Sequence, residues 1–128
     1  MFDHVGFAVT DYAKSLAFYT KALAPLGIGV KFEVTREMSG DGAHSGFGTE
    51  RPQFWIGEGK NIVKSLHVAF AAKDRATVDA FYKAAISAGG RDNGPPGLRP
   101  MYHPDYYGAF VFDPDGNNVE AVCHRPEQ

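Results

Sequence analysis

Apolar residues along the chain keep two rhythms. In "FDHVGFAV" the bulky Val5, Phe7 and Val9 alternate with His4, Gly6 and Ala8, the period of two expected for a strand with one buried face. In "SLHVAFAA" Val68 and Phe70 alternate in the same way with His67, Ala69 and Ala71. The rhythm then changes to helical spacing, through Leu16, Tyr19, Leu23 and Leu26 in one stretch and Val78, Tyr82 and Ala85 in the other. Asp11 and Asp74 stand where N-caps belong, and Gly27 and Gly89 where a left-handed C-cap is expected. Further on, "VKFEVTRE" alternates, "GFGTERPQFWIG" reads as strand, turn, strand, and "GAFVFDPDGNNVEAVC" as a hairpin around Asp113-Pro114-Asp115-Gly116. The order strand, helix, then three strands is therefore written twice. Between Asn93 and Gly108, "NGPPGLRPMYHPDYYG" holds too much proline and glycine for a regular element, and its length suits a functional lid.

The two copies match residue by residue. At an offset of 63 the pairs His4/His67, Val5/Val68, Phe7/Phe70, Ala8/Ala71, Asp11/Asp74 and Phe18/Phe81 are identical, within 11 identities over the 24 positions from His4 to Gly27. Such density marks two copies of one supersecondary unit. The reading is a single domain, 1–128, of two modules, about 1–60 and about 62–128. A half of about 60 residues buries little core alone, so the copies must share a sheet or a partner.

Composition narrows the function. The 128 residues are 44% apolar and 22% charged with a net charge of −2, an ordinary globular balance. No basic stripe or polybasic tail suggests nucleic-acid or membrane-surface binding. Asp3 and His4 interrupt the N-terminus at once, and no apolar run approaches the roughly 20 residues of a membrane span, so a cytoplasmic protein is expected. Cys123 is the single cysteine, which excludes an intrachain disulfide.

The histidines that open the modules carry the candidate chemistry. Each lies on the strand face opposite the bulky residues, beside Gly6 and Ala8 or beside Ala69 and Ala71. Small neighbours leave room above the ring, as a cup requires and a close-packed core avoids. The stretches "HVGFAVTDYAKSLAFYTKAL" and "FVFDPDGNNVEAV" resemble the vicinal oxygen chelate superfamily, which groups glyoxalase I, extradiol dioxygenases, fosfomycin-resistance transferases and bleomycin-resistance proteins. The resemblance covers essentially the whole chain. It implies an α+β fold of two tandem βαβββ modules whose curled mixed sheet surrounds a metal-binding cup. It also implies a donor set of His4, His67 and Glu120, holding one divalent ion (Fe, Mn, Ni or Zn). Two imidazoles and a carboxylate suit non-haem iron and manganese and leave positions open for substrate. Glu120, between Val119 and Ala121 on an apolar strand, has little reason to be there unless something positive meets it.

The remaining positions separate subfamilies. Aligning "RPQFWIGE" with "GNNVEAVC" sets Trp55 opposite Glu120, where glyoxalase I usually supplies a fourth donor, and indole cannot coordinate. Glu58 falls opposite Cys123, on the helix side. The loop offers Tyr102, His103, Tyr106 and Tyr107, with His103 and Tyr107 as acid–base candidates and Tyr102, Tyr106, Trp55 and His44 as substrate-binding ones. The expected function is a metal-dependent enzyme acting on a small substrate with adjacent oxygens, either an extradiol-type dioxygenase or a glyoxalase-like lyase or isomerase. The alternative is a metal-free drug-binding protein of the bleomycin-resistance type. Fosfomycin transfer is disfavoured because the loop is aromatic where those enzymes are basic. The resemblance further implies a homodimer, in some members with exchanged modules, so that His4 of one chain meets His67 and Glu120 of the other.

Overall fold

The computed structural model describes residues 1–126; the last two residues of the expected second module lie outside it. The first half runs β1 (Val5–Ala8), α1 (Tyr12–Ala22), a 3-10 turn, β2 (Gly29–Val34), the single-turn helix α2 (Arg36–Ser39), β3 (His44–Gly48) and β4 (Phe54–Gly57). The second runs β5 (His67–Ala71), α3 (Arg75–Ser87), β6 (Arg91–Asp92), β7 (Gly97–Leu98), β8 (Tyr107–Phe112) and β9 (Asn118–Cys123). The aspartates cap as read. Asp11 accepts the Lys14 amide at 3.0 Å and Asp74 the Thr77 amide at 2.8 Å, each satisfying an amide that the helix itself leaves open.

Each half forms its own sheet, β1-β4-β3-β2 and β5-β9-β8-β6, with β7 beside β8. In both, the opening strand lies parallel to the closing strand, which gives the mixed sheet of this α+β fold. The registers are equivalent: Gly6 faces Trp55 as Ala69 faces Glu120. One difference separates the copies. β2 is continuous, whereas its counterpart is broken into β6 and β7, because Gly94 takes a positive φ and Pro95 and Pro96 have no amide to donate. Part of the segment read as irregular, Gly97–Leu98, thus pairs with β8.

A single core joins the halves. Phe18, Tyr19 and Phe47 from the first and Val78, Phe81, Val111 and Val119 from the second are buried in one cluster, α1 packs on α3, and Phe54 meets Phe70 edge-on at 5.1 Å. Each sheet therefore spends its Phe- and Val-bearing face on the same core. A buried bond also crosses between the copies. The Tyr19 hydroxyl donates to Asp113 Oδ2 at 2.6 Å, and Asp113 also accepts from the Asn117 amide, the Asn117 side chain and the Asp115 amide in the hairpin turn. Burial, and then the Asp113 charge, push the Tyr19 phenol well above its ordinary range, so it stays a donor. Tyr19→Phe keeps the ring and leaves Asp113 its other donors. The expected loss is about 1–3 kcal/mol in urea unfolding, with an unchanged slope.

Candidate metal centre

The face turned away from the core carries the candidate donors. His67 opens β5 beside Ala69 and Ala71, while Glu120 sits mid-β9, flanked by Phe110 across the β8 ladder. His67 Nε2 lies 2.8 Å from Glu120 Oε1, with the imidazole side chain 53% exposed and the carboxylate 1% exposed. A buried carboxylate needs compensation. Here its second oxygen, Oε2, accepts the Tyr106 hydroxyl. Burial and the Glu120 bond raise the Tyr106 phenol above its ordinary value, so it remains the donor. The 2.8 Å separation is that of a direct hydrogen bond, and it leaves the two donors near the spacing of neighbouring metal ligands. An ion about 2.1 Å from a nitrogen and an oxygen at a right angle sets them about 3 Å apart, close to what is seen.

His4 lies just before β1, on the other sheet. Its Nδ1 bonds Asp3 Oδ1 at 2.7 Å, which leaves Nε2 as the ring nitrogen not engaged by Asp3. Asp3 is held below the usual carboxylate range, first by that bond and then by Arg51. His4, Gly6, His44, Arg51 and Trp55 line one open hollow of about 680 Å³. Trp55 occupies the corner equivalent to Glu120 and its ring lies over Gly46, where a Cβ would come within 2.7 Å of the indole. His44 lies over Gly57 in the same way. Within one chain, His4 does not join His67 and Glu120: among the described residues no three histidine, cysteine or acidic side chains converge on a point that could hold a metal.

The loop residues divide between the two faces. Tyr106 stands at the cup, ringed edge-on by Tyr102 at 5.1 Å and by His124 at 5.0 Å. His103 is exposed, contacts His124 edge-on at 5.7 Å and accepts the Asp105 amide on Nδ1, so its proton sits on Nε2. Tyr107, read as an acid–base candidate, lies away from the cup. It pairs with Cys123, three residues before the Phe110 that faces Glu120, so its side chain turns to the helix face and donates to Asp79 at 2.7 Å. Glu58 also lies on the helix face, where Arg36 grips it through two nitrogens and the Ala43 amide donates to it. Asp3 and His124 were missed by sequence reading. The first is the direct neighbour of His4, and the second is on the Glu120 face by an even step through Val122.

Residues 1–121 match the family model for the Glyoxalase/Bleomycin resistance protein/Dioxygenase superfamily, and the chain belongs to that superfamily. Among solved structures it is similar to a glyoxalase/bleomycin resistance protein from Albidiferax ferrireducens, 31% identical, with a TM-score of 0.78 over 98% of this chain and 99% of that one. The fold is shared by glyoxalase I from Zea mays, 19% identical with a TM-score of 0.71, over 99% of this chain and 45% of the plant enzyme. It is shared too by a mutant of the Listeria monocytogenes fosfomycin resistance protein FosX, 17% identical with a TM-score of 0.68, over 95% and 88% of the two chains, solved with Mn(II) and a dihydroxypropylphosphonic acid. No curated protein matches the chain. No helix among the described residues is long and apolar enough to cross a membrane.

The placement of Glu58 gives a test. Its carboxyl is held down to about 2, first by the Arg36 hydrogen bonds and then by the Ala43 amide. A depressed acid contributes stability that is full above its unfolded value near 4.5 and lost as pH falls toward 2. Glu58→Gln is therefore expected to flatten the acid limb of the stability curve in that window while leaving metal content, read by elemental analysis, unchanged.

Proposed function

We propose that the protein is a divalent-metal enzyme acting on a small substrate that carries two adjacent oxygens, with His4, His67 and Glu120 as ligands. The observation that carries this reading is the pairing of His67 Nε2 with a buried Glu120 carboxylate at 2.8 Å, on a sheet face lined by small residues. The FosX structure, with Mn(II) and a vicinal diol, supports the class of ion and ligand without assigning either. A second copy of the chain supplies the missing imidazole. In a two-fold homodimer, the His4 face of one protomer closes over the His67 and Glu120 face of its partner, which makes two equivalent sites.

The bound ion would supply Lewis acidity toward two neighbouring substrate oxygens. The chain's own residues do the rest. Asp3 fixes the His4 ring through Nδ1, which leaves Nε2 as the nitrogen that would hold the ion. Trp55 fills the fourth corner with an indole that cannot ligate, which keeps coordination positions open for substrate. Trp55 and His44 line the hollow beside His4, Phe110 lies beside His67 and Tyr102 lies against Tyr106, so these aromatic groups would line the closed cup. His103, protonated on Nε2 and exposed on the loop, is the acid–base residue of this reading. An open three-donor site favours extradiol-type oxygenation over the glyoxalase-like reaction. A metal-free drug-binding role is the competing reading, and the retained donor pair speaks against it.

Protein purified without chelator is expected to hold close to one Fe, Mn, Ni or Zn per chain by elemental analysis. His67→Ala is expected to lose that metal while keeping its far-ultraviolet spectrum. No metal in the wild type after reconstitution would end the enzyme reading. Oxygen uptake with catechols, set against isomerisation of 2-oxoaldehyde–thiol adducts, separates the two reaction types.

A further inference from the structure

Glu120 is held from two sides, and only one of its partners belongs to the proposed donor set. Oε1 faces His67, whereas Oε2 is bonded by the Tyr106 hydroxyl. Tyr106 reaches it because Gly108, directly on the strand, presents no side chain. A Cβ there would sit 3.1 Å from Tyr106 Cε1 and 3.3 Å from Glu120 Oε2. The ring is fixed in turn by Tyr102 and His124 edge-on and by the Tyr106 amide, which donates to the His103 carbonyl at 3.1 Å. A phenol locked against one oxygen of a carboxylate settles which oxygen remains to be used.

We propose that Tyr106 is the positioning residue of the carboxylate ligand: its hydroxyl holds Glu120 Oε2 so that Oε1 alone is presented beside His67 Nε2. The proposal rests on the metal reading above and deepens it. A free carboxylate can chelate an ion through both oxygens and use up a coordination position. A carboxylate with one oxygen already bonded binds through the other, and the position stays open for substrate. Tyr106, expected from the sequence to touch substrate, acts instead through Glu120.

Cobalt(II) is the probe, because its visible absorption reports coordination number and its uptake can be followed without substrate. Tyr106→Phe keeps the ring and removes only the hydroxyl. The expected result is Co(II) affinity lower by about 10–100-fold, the usual effect of losing a bond to a metal ligand. The visible band should also weaken, as Glu120 takes up bidentate ligation. Co(II) affinity and spectrum both equal to wild type would overturn the proposal. A lowered thermal midpoint of the apoprotein with unchanged Co(II) binding would also overturn it, since the tyrosine would then be merely structural. Should Tyr106→Phe not fold, Gly108→Ala wedges the same contact apart; weaker binding with the same spectral change supports the proposal and wild-type behaviour overturns it. Wild-type protein that takes up no Co(II) overturns the metal reading itself and this proposal with it, whereas wild-type uptake with an unaltered variant overturns this proposal alone.

Discussion

A β-sheet has two faces, and in this chain the core claims one face of each sheet. The pleat sends successive side chains to opposite sides, so the residues that bury Phe7, Phe54, Phe70 and Val119 force His67, Glu120 and Trp55 onto the other side. Because both sheets give their apolar face to one shared core, the two polar faces are both turned away from it. Each chain thus carries two half-cups, one with an imidazole and an indole, the other with an imidazole and a buried acid. That arrangement follows from duplication: a repeat unit copied in tandem packs copy against copy before it offers either polar face to anything else.

Burial sets the chemistry of the acid-bearing half. A carboxylate nearly out of solvent is costly unless it is paired, and here the pairing comes from His67 and Tyr106 rather than from a lysine or arginine. The contacts of the buried acid are an imidazole and a phenol, so a bound cation would be the one formal positive charge set directly against it. In the other half the strongest polar contacts are exposed, and Asp3 orients the His4 ring without burying it.

What could be read from the chain was local. The period-two stretches, the aspartate caps and the register that sets Trp55 opposite Glu120 all depend on spacing within a module, and spacing is written in the sequence. The face of Tyr107 was not legible, because it depends on which β8 residue meets Glu120, and several registers of the hairpin keep an apolar alternation. Tyr106 and Tyr107 are adjacent, and a one-residue shift exchanges their faces. The bond from Tyr106 to Glu120 needs Gly108 as an empty floor, a three-dimensional fact. The break between β6 and β7 was half visible, in Pro95 and Pro96, but the short pairing after it was set by β8.

Convergence of donors across a pair of chains is the central claim, and mixing two damaged chains measures it. His4→Ala and Glu120→Ala proteins, each expected to purify without metal, would be co-expressed in equal amounts so that their chains pair at random. Half of the pairs are then mixed, and each mixed pair keeps one undamaged site, so metal content should return to about one quarter of the wild-type value. A mixture that forms mixed pairs and still binds no metal would contradict the account.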